Sequence, residues 1–159
     1  MKSSFFIVAD RGNLKAFRVE KVPTDHPPRM QLVQAFSFVD AHMKVSEINT
    51  DLAGGYPAGG GAPNGKGGGM RHQNSIAEKH YSIEFDRRSA KQLAETIAEL
   101  LKQEQPGTWS FAAPAEIREA VLGQLSPELR KSLAECIARD LVNVPPGELL
   151  EHFTAVKAA

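Results

Sequence analysis

The sequence predicts an α/β domain, and three observations carry that reading. The first forty or so residues break into three apolar segments with strand-like spacing. The second half alternates helical periodicity with short apolar runs. A length of 159 residues with 42% hydrophobic side chains suits a single domain, 1–159, with a sizeable buried core. Strands first, then helices separated by strands, give a mixed sheet flanked by helices: an antiparallel three-stranded meander plus parallel strands.

Each element has its own signal. Residues 5–9 are apolar throughout, as in a strand buried on both faces. Asp10-Arg11-Gly12-Asn13 supplies a turn, because Asp caps turns through its own backbone and Gly and Asn tolerate turn conformations. Residues 14–20 then return antiparallel, with Phe17 and Val19 on one face and Leu14 and Ala16 on the other. Asp25-His26-Pro27-Pro28 breaks the chain. Residues 30–39 read as a third strand, with Leu32, Phe36 and Phe38 on one face and Val33, Ala35 and Val39 on the other.

Helical spacing begins after Tyr81, where Ala90, Leu93, Ala94, Ile97 and Leu101 form one stripe that ends before Pro106-Gly107. Residues 108–112 read as a strand. Pro114 opens a helix with Ile117, Ala120, Val121 and Leu125 on one face. Ser126-Pro127-Glu128 is a further helix start, with Leu129, Leu133, Cys136 and Ile137 as its buried stripe. Residues 141–144 read as the last strand, and Pro145-Pro146-Gly147-Glu148 opens a terminal helix with Leu149, Leu150 and Phe153.

Composition excludes several function classes. The 19 basic and 19 acidic side chains balance, so no global basic excess drives nucleic-acid binding. That neutrality is nevertheless the sum of a +3 segment, 1–75, and a −3 segment, 76–159. A single cysteine allows neither an internal disulfide nor a multi-thiolate zinc site. No apolar run has the length of a membrane span, and the run 5–9 ends at Asp10-Arg11 without a cleavage pattern, so a cytoplasmic protein without membrane partners is expected.

The least ordinary stretch is 46–75, read as a long glycine-rich loop: nine of the 13 glycines fall between Gly54 and Gly69. Gly60 with Gly65-Lys66 approaches a phosphate-binding loop, but Gly67 stands where the magnesium-holding hydroxyl belongs, and glycine flanks replace the strand and helix. A different unit is more informative. Gly65, Lys66, Gly67, Gly68, Gly69, Arg71 and His72 combine unhindered backbone N–H groups with local positive charge, and they are the candidate ligand-binding residues. A solvated linker is the competing reading.

No catalytic residue, metal or cofactor is expected. His72 and His80 lie eight apart without convincing ligand spacing, His26 and His42 sit in loops, and His152 is in the terminal helix. Asp10 and Asp40 stand at strand ends, where paired acids could hold magnesium in a nuclease, although the turn explains Asp10 more simply. Cys136 reads as a small core hydrophobe, Ser3, Ser4 and Ser75 lack a nucleophile elbow, and Trp109 is expected in the core with its N–H on one partner.

The chain also resembles the bacterial host-attachment protein family. The residues that carry the likeness are Val8-Ala9-Asp10-Arg11-Gly12 and Ala16-Phe17, then Phe111-Ala112-Ala113-Pro114, Leu125-Ser126-Pro127-Glu128-Leu129-Arg130, Arg139-Asp140-Leu141 and Glu148-Leu149. Members are described as required for attachment to host cells. The family is similar in turn to the middle domain of the archaeal and eukaryotic class-1 peptide-chain release factor, which implies a ribonuclease-H-like sheet. In that factor a Gly-Gly-Gln loop promotes peptidyl-tRNA hydrolysis. Here Gly69 holds the glutamine position and Gln73 lies four residues on. The resemblance therefore implies a translation-linked RNA- or ribosome-binding module without release chemistry. The alternatives are a protein-interaction role in attachment and a hydrolase or metal-dependent nuclease.

Overall fold

The computed structural model describes residues 4–20, 26–38 and 70–153, with 70–78 and 80–82 described by backbone alone. The expected loop 46–75 therefore lies outside the described residues as far as Gly69, as do Asp40 and His42. Five strands form one mixed sheet: β1 (Ser4–Ala9), β2 (Asn13–Glu20), β3 (Arg29–Ser37), β4 (Thr108–Ala113) and β5 (Leu133–Ala138), in the order β3-β2-β1-β4-β5. β1 is antiparallel to β2 and β2 to β3, while β4 runs parallel to both β1 and β5. The meander and the parallel addition are thus both present. Helices α1 (Met70–Glu104), α2 (Ala115–Gln124), α3 (Pro127–Lys131) and α4 (Pro146–His152) flank the sheet.

The central strand explains the core. Phe5, Ile7 and Ala9 face one layer with Leu14, Ala16, Trp109 and Phe111, covered by Ala90, Leu93, Ala94, Ile97 and Leu101 of α1 and by Ile117 and Val121 of α2. Phe6 and Val8 face the other layer with Phe17, Met30, Leu141, Val142, Leu149 and Phe153. Phe6 meets Phe153 edge-on at 4.9 Å between ring centroids. Each such side chain contributes roughly 1.5–3 kcal/mol on burial, so a strand that is apolar on both faces holds both layers together.

Four expectations are corrected. In β3 the pairing shifts: Ala16 is opposite Gln34 and Phe17 opposite Leu32, which leaves Val33 as an unpaired bulge. The bulge reverses the alternation, so Phe36, Phe38 and Val33 pack on the first layer, whereas Leu32 is 49% exposed and does not share their face. Next, the helix from Ser126 ends at Lys131, and 133–138 is strand β5, with Cys136 on it. β4 is buried on both faces, and its outer backbone groups would be orphaned without a neighbouring strand. Residues 141–144 form a turn, with the Val144 amide donating to the Leu141 carbonyl at 3.1 Å; their apolar side chains fill the second layer without pairing. The fourth correction concerns α1, which begins at Met70, so 70–75 is helical rather than loop.

Two ion pairs fix the direction of α1. Glu104, its last residue, is ion-paired with Arg18, which stands opposite Phe5 near the start of β1. Asp86 is ion-paired with Arg11, just past the end of β1. The helix therefore runs antiparallel to β1, and among its described side chains the buried ones run from Ser89 to Leu101. Met70 lies 16 residues before Asp86, about 24 Å further along a straight helix at 1.5 Å per residue.

Candidate functional site

The carboxyl ends of β1, β4 and β5 lie side by side, and their outgoing chains diverge: β1 turns into β2 on one side, and β4 passes into α2 on the other. Divergence of this kind opens a crevice at the strand ends of α/β sheets. Here it is an open cleft of about 390 Å³ lined by Asp10, Arg11, Asn13, Glu116, Ile117 and Asp140, with Gly12 and Pro114 completing the wall.

The turn at its floor is built by Asp10. Its Oδ1 accepts from the Gly12 amide at 2.7 Å and the Asn13 amide at 2.6 Å, while the Asp10 amide donates to the Asn13 carbonyl at 2.9 Å. An oxygen already holding two amides is a structural acceptor, which agrees with the turn reading of Asp10. Asp140 is similarly engaged, accepting the Val142 amide at 3.2 Å, and Lys15 donates to the Val142 carbonyl at 2.8 Å. Arg11 faces two acids: Nη2 is 3.2 Å from Glu116 Oε2 and 3.4 Å from Asp86 Oδ2. Its Nε lies 3.1 Å from Asp86 Oδ1, an ion-pair contact without hydrogen-bond alignment at that oxygen. One guanidinium thus joins the β1–β2 turn, α1 and α2.

The chemistry these groups offer is polar binding. Among the described residues no three His, Cys, Asp or Glu side chains converge to hold a metal ion. His26 is exposed and His152 half-buried in α4. Cys136 is half-buried on β5, and burial pushes its thiol above the ordinary range; Arg118 opposes that shift and Glu119 adds to it. A thiol so held is a poor nucleophile. Trp109 is buried as expected, but its Nε1 is shared between two acceptors rather than one, donating to the Leu129 carbonyl at 2.8 Å and to Ser132 Oγ at 3.1 Å.

Of the candidate ligand-binding residues, Gly65, Lys66, Gly67, Gly68 and Gly69 lie outside the described residues, and Arg71 and His72 fall in the first turn of α1 with their side chains undescribed. That turn carries no acidic residue. The sequence reading missed the junction at Arg11. Its partners are 75 and 105 residues away, so no local pattern could have shown it.

The fold and crevice define a mixed α/β protein with a polar cleft at its strand ends. The chain belongs to the host-attachment family: the family model described as "Protein required for attachment to host cells" matches residues 5–153. No curated protein matches the chain. Among the described residues no helix is long and apolar enough to cross a membrane.

Proposed function

We propose that this host-attachment-family protein is a non-enzymatic binding module whose glycine-rich basic segment, 59–72, contacts RNA on the ribosome. The observation that supports it is the course of α1. Its N-terminal part continues past the carboxyl edge of the sheet at Asp86, and Gly65 to Gly69 immediately precede its first residue in the sequence. Lys66 and Arg71, beside a helix start without an acid, suit a phosphate backbone. The release-factor resemblance read from the sequence favours the same partner, and under that resemblance Gly69 stands where release chemistry requires glutamine.

Co-sedimentation with ribosomes tests the reading. Binding is expected to fall with rising salt and to be lost on deletion of 59–69. Equal sedimentation of intact and deleted chains sinks the role of the segment. A second reading, protein-mediated attachment to host cells, is favoured by the family description alone. Recovery of the intact chain from the outer envelope, with none on ribosomes, selects it.

A further inference from the structure

We propose that Arg11 is a positioning residue: its guanidinium clamps α1 at Asp86, where the helix leaves the sheet, and sets the direction of the segment 70–85. The clamp stands on the geometry alone, and its consequence for ligand presentation rests on the binding reading above.

Two ion pairs mark the ends of the docked part of α1. Arg18 with Glu104 lies at the amino end of β1, and Arg11 with Asp86 at its carboxyl end. Between them the helix is held by burial: Ser89, Ala90, Leu93, Ala94, Ile97, Leu100 and Leu101 are all buried. Among the described side chains this grip weakens toward the N-terminus. Arg87, Arg88, Glu84 and Ile83 are exposed, Ile83 by 64%, and Phe85 and Asp86 are half-buried. Arg11 acts at that boundary. It is fixed on the β1–β2 turn, which Asp10 braces by accepting hydrogen bonds from two backbone amides, and it reaches both Asp86 of α1 and Glu116 of α2.

Leverage makes the position consequential. A tilt of about 10° at Asp86 displaces Met70 by about 4 Å over the roughly 24 Å between them. Exposed ion pairs contribute little to global stability, so the clamp is expected to set direction and local order rather than to hold the fold together. An arginine is well matched to this role, because its planar fork addresses two carboxylates at once, which an ammonium does less well.

Hydrogen–deuterium exchange on the full chain tests the clamp, with Arg11→Ala, Arg11→Lys, Asp86→Asn and the Arg11→Ala/Asp86→Asn pair. Amides of 79–88 are expected to exchange about two- to tenfold faster in Arg11→Ala and in Asp86→Asn, with 89–101 unchanged. The pair should exceed neither single change, and Arg11→Lys should fall between Arg11→Ala and the parent. Unchanged exchange over 79–88 in Arg11→Ala overturns the proposal, as does an equal rise across 89–101, which marks general loosening. Ribosome co-sedimentation of the same variants separates the two ideas. Faster exchange with unaltered sedimentation leaves the clamp standing and removes its link to binding; faster exchange with weaker sedimentation supports both.

Discussion

Replacing Trp109 with phenylalanine tests why β5 is a strand. The indole N–H donates to the Leu129 carbonyl at 2.8 Å, the Trp109 amide donates to the Ser132 carbonyl at 3.1 Å, and Ser132 Oγ also donates to the Leu129 carbonyl at 2.9 Å. One aromatic residue thus holds the end of α3 and the entry to β5. In Trp109→Phe the Leu129 carbonyl keeps its serine partner, so the lost hydrogen bond costs about 1 kcal/mol rather than the full desolvation of an orphaned acceptor. The smaller ring leaves a void at a position 1% exposed, adding about 1–2 kcal/mol. The total, about 2–3 kcal/mol, corresponds to a fall of about 1–1.5 M in the urea midpoint at a slope of about 2 kcal/mol/M. Trp109 is the only tryptophan, so far-UV circular dichroism must report the transition. A midpoint within about 0.3 M of the parent, at equal slope, refutes the assigned role of the indole.

Other consequences are open to similar measurement. Gln105 ends α1 in the left-handed region at φ 44°, so Gln105→Gly should raise stability by about 0.5–1 kcal/mol in urea melts, and a loss would refute the strain. Asp10→Ala strips the acceptor from two turn amides and should cost about 1–3 kcal/mol, whereas Asp10→Asn, which retains an oxygen, should cost less; equal losses in the two variants would contradict the turn role. Burial raises the Cys136 thiol, so the folded state holds this proton more tightly than the unfolded one. The resulting stability is present below the ordinary thiol range and is lost as pH rises through the raised value. Alkylation of Cys136 at neutral pH should accordingly be slower in the folded protein than in urea, and equal rates would contradict the burial.

Legibility in the sequence followed the range of the interactions. The stripe from Ala90 to Leu101 was readable because one helix face meets one core layer, and β1 because every one of its positions after Ser4 is buried. Ser126 was readable because capping is local: its Oγ accepts the Leu129 amide. The start of α1 was not, since helix hydrogen bonds need no apolar stripe and such a stripe marks only the packed part. Residues 133–138 fit helical spacing after Leu129 as well as they fit a strand. The open edge of β4, a non-local fact, decided between them.

By itself the sequence determined the mixed α/β class, the antiparallel opening, most of the core residues, the turn at Asp10 and the presence of a glycine-rich basic segment before α1. Periodicity, capping and turn chemistry are local, and they suffice for these features. The tertiary structure alone decided the bulge at Val33, the strand at Cys136, the crevice at the ends of β1, β4 and β5, and the junction of Arg11 with Asp86 and Glu116. Each of these is a contact between segments that only the folded sheet brings together, and a pairwise contact across 75 or 105 residues leaves no period in the chain.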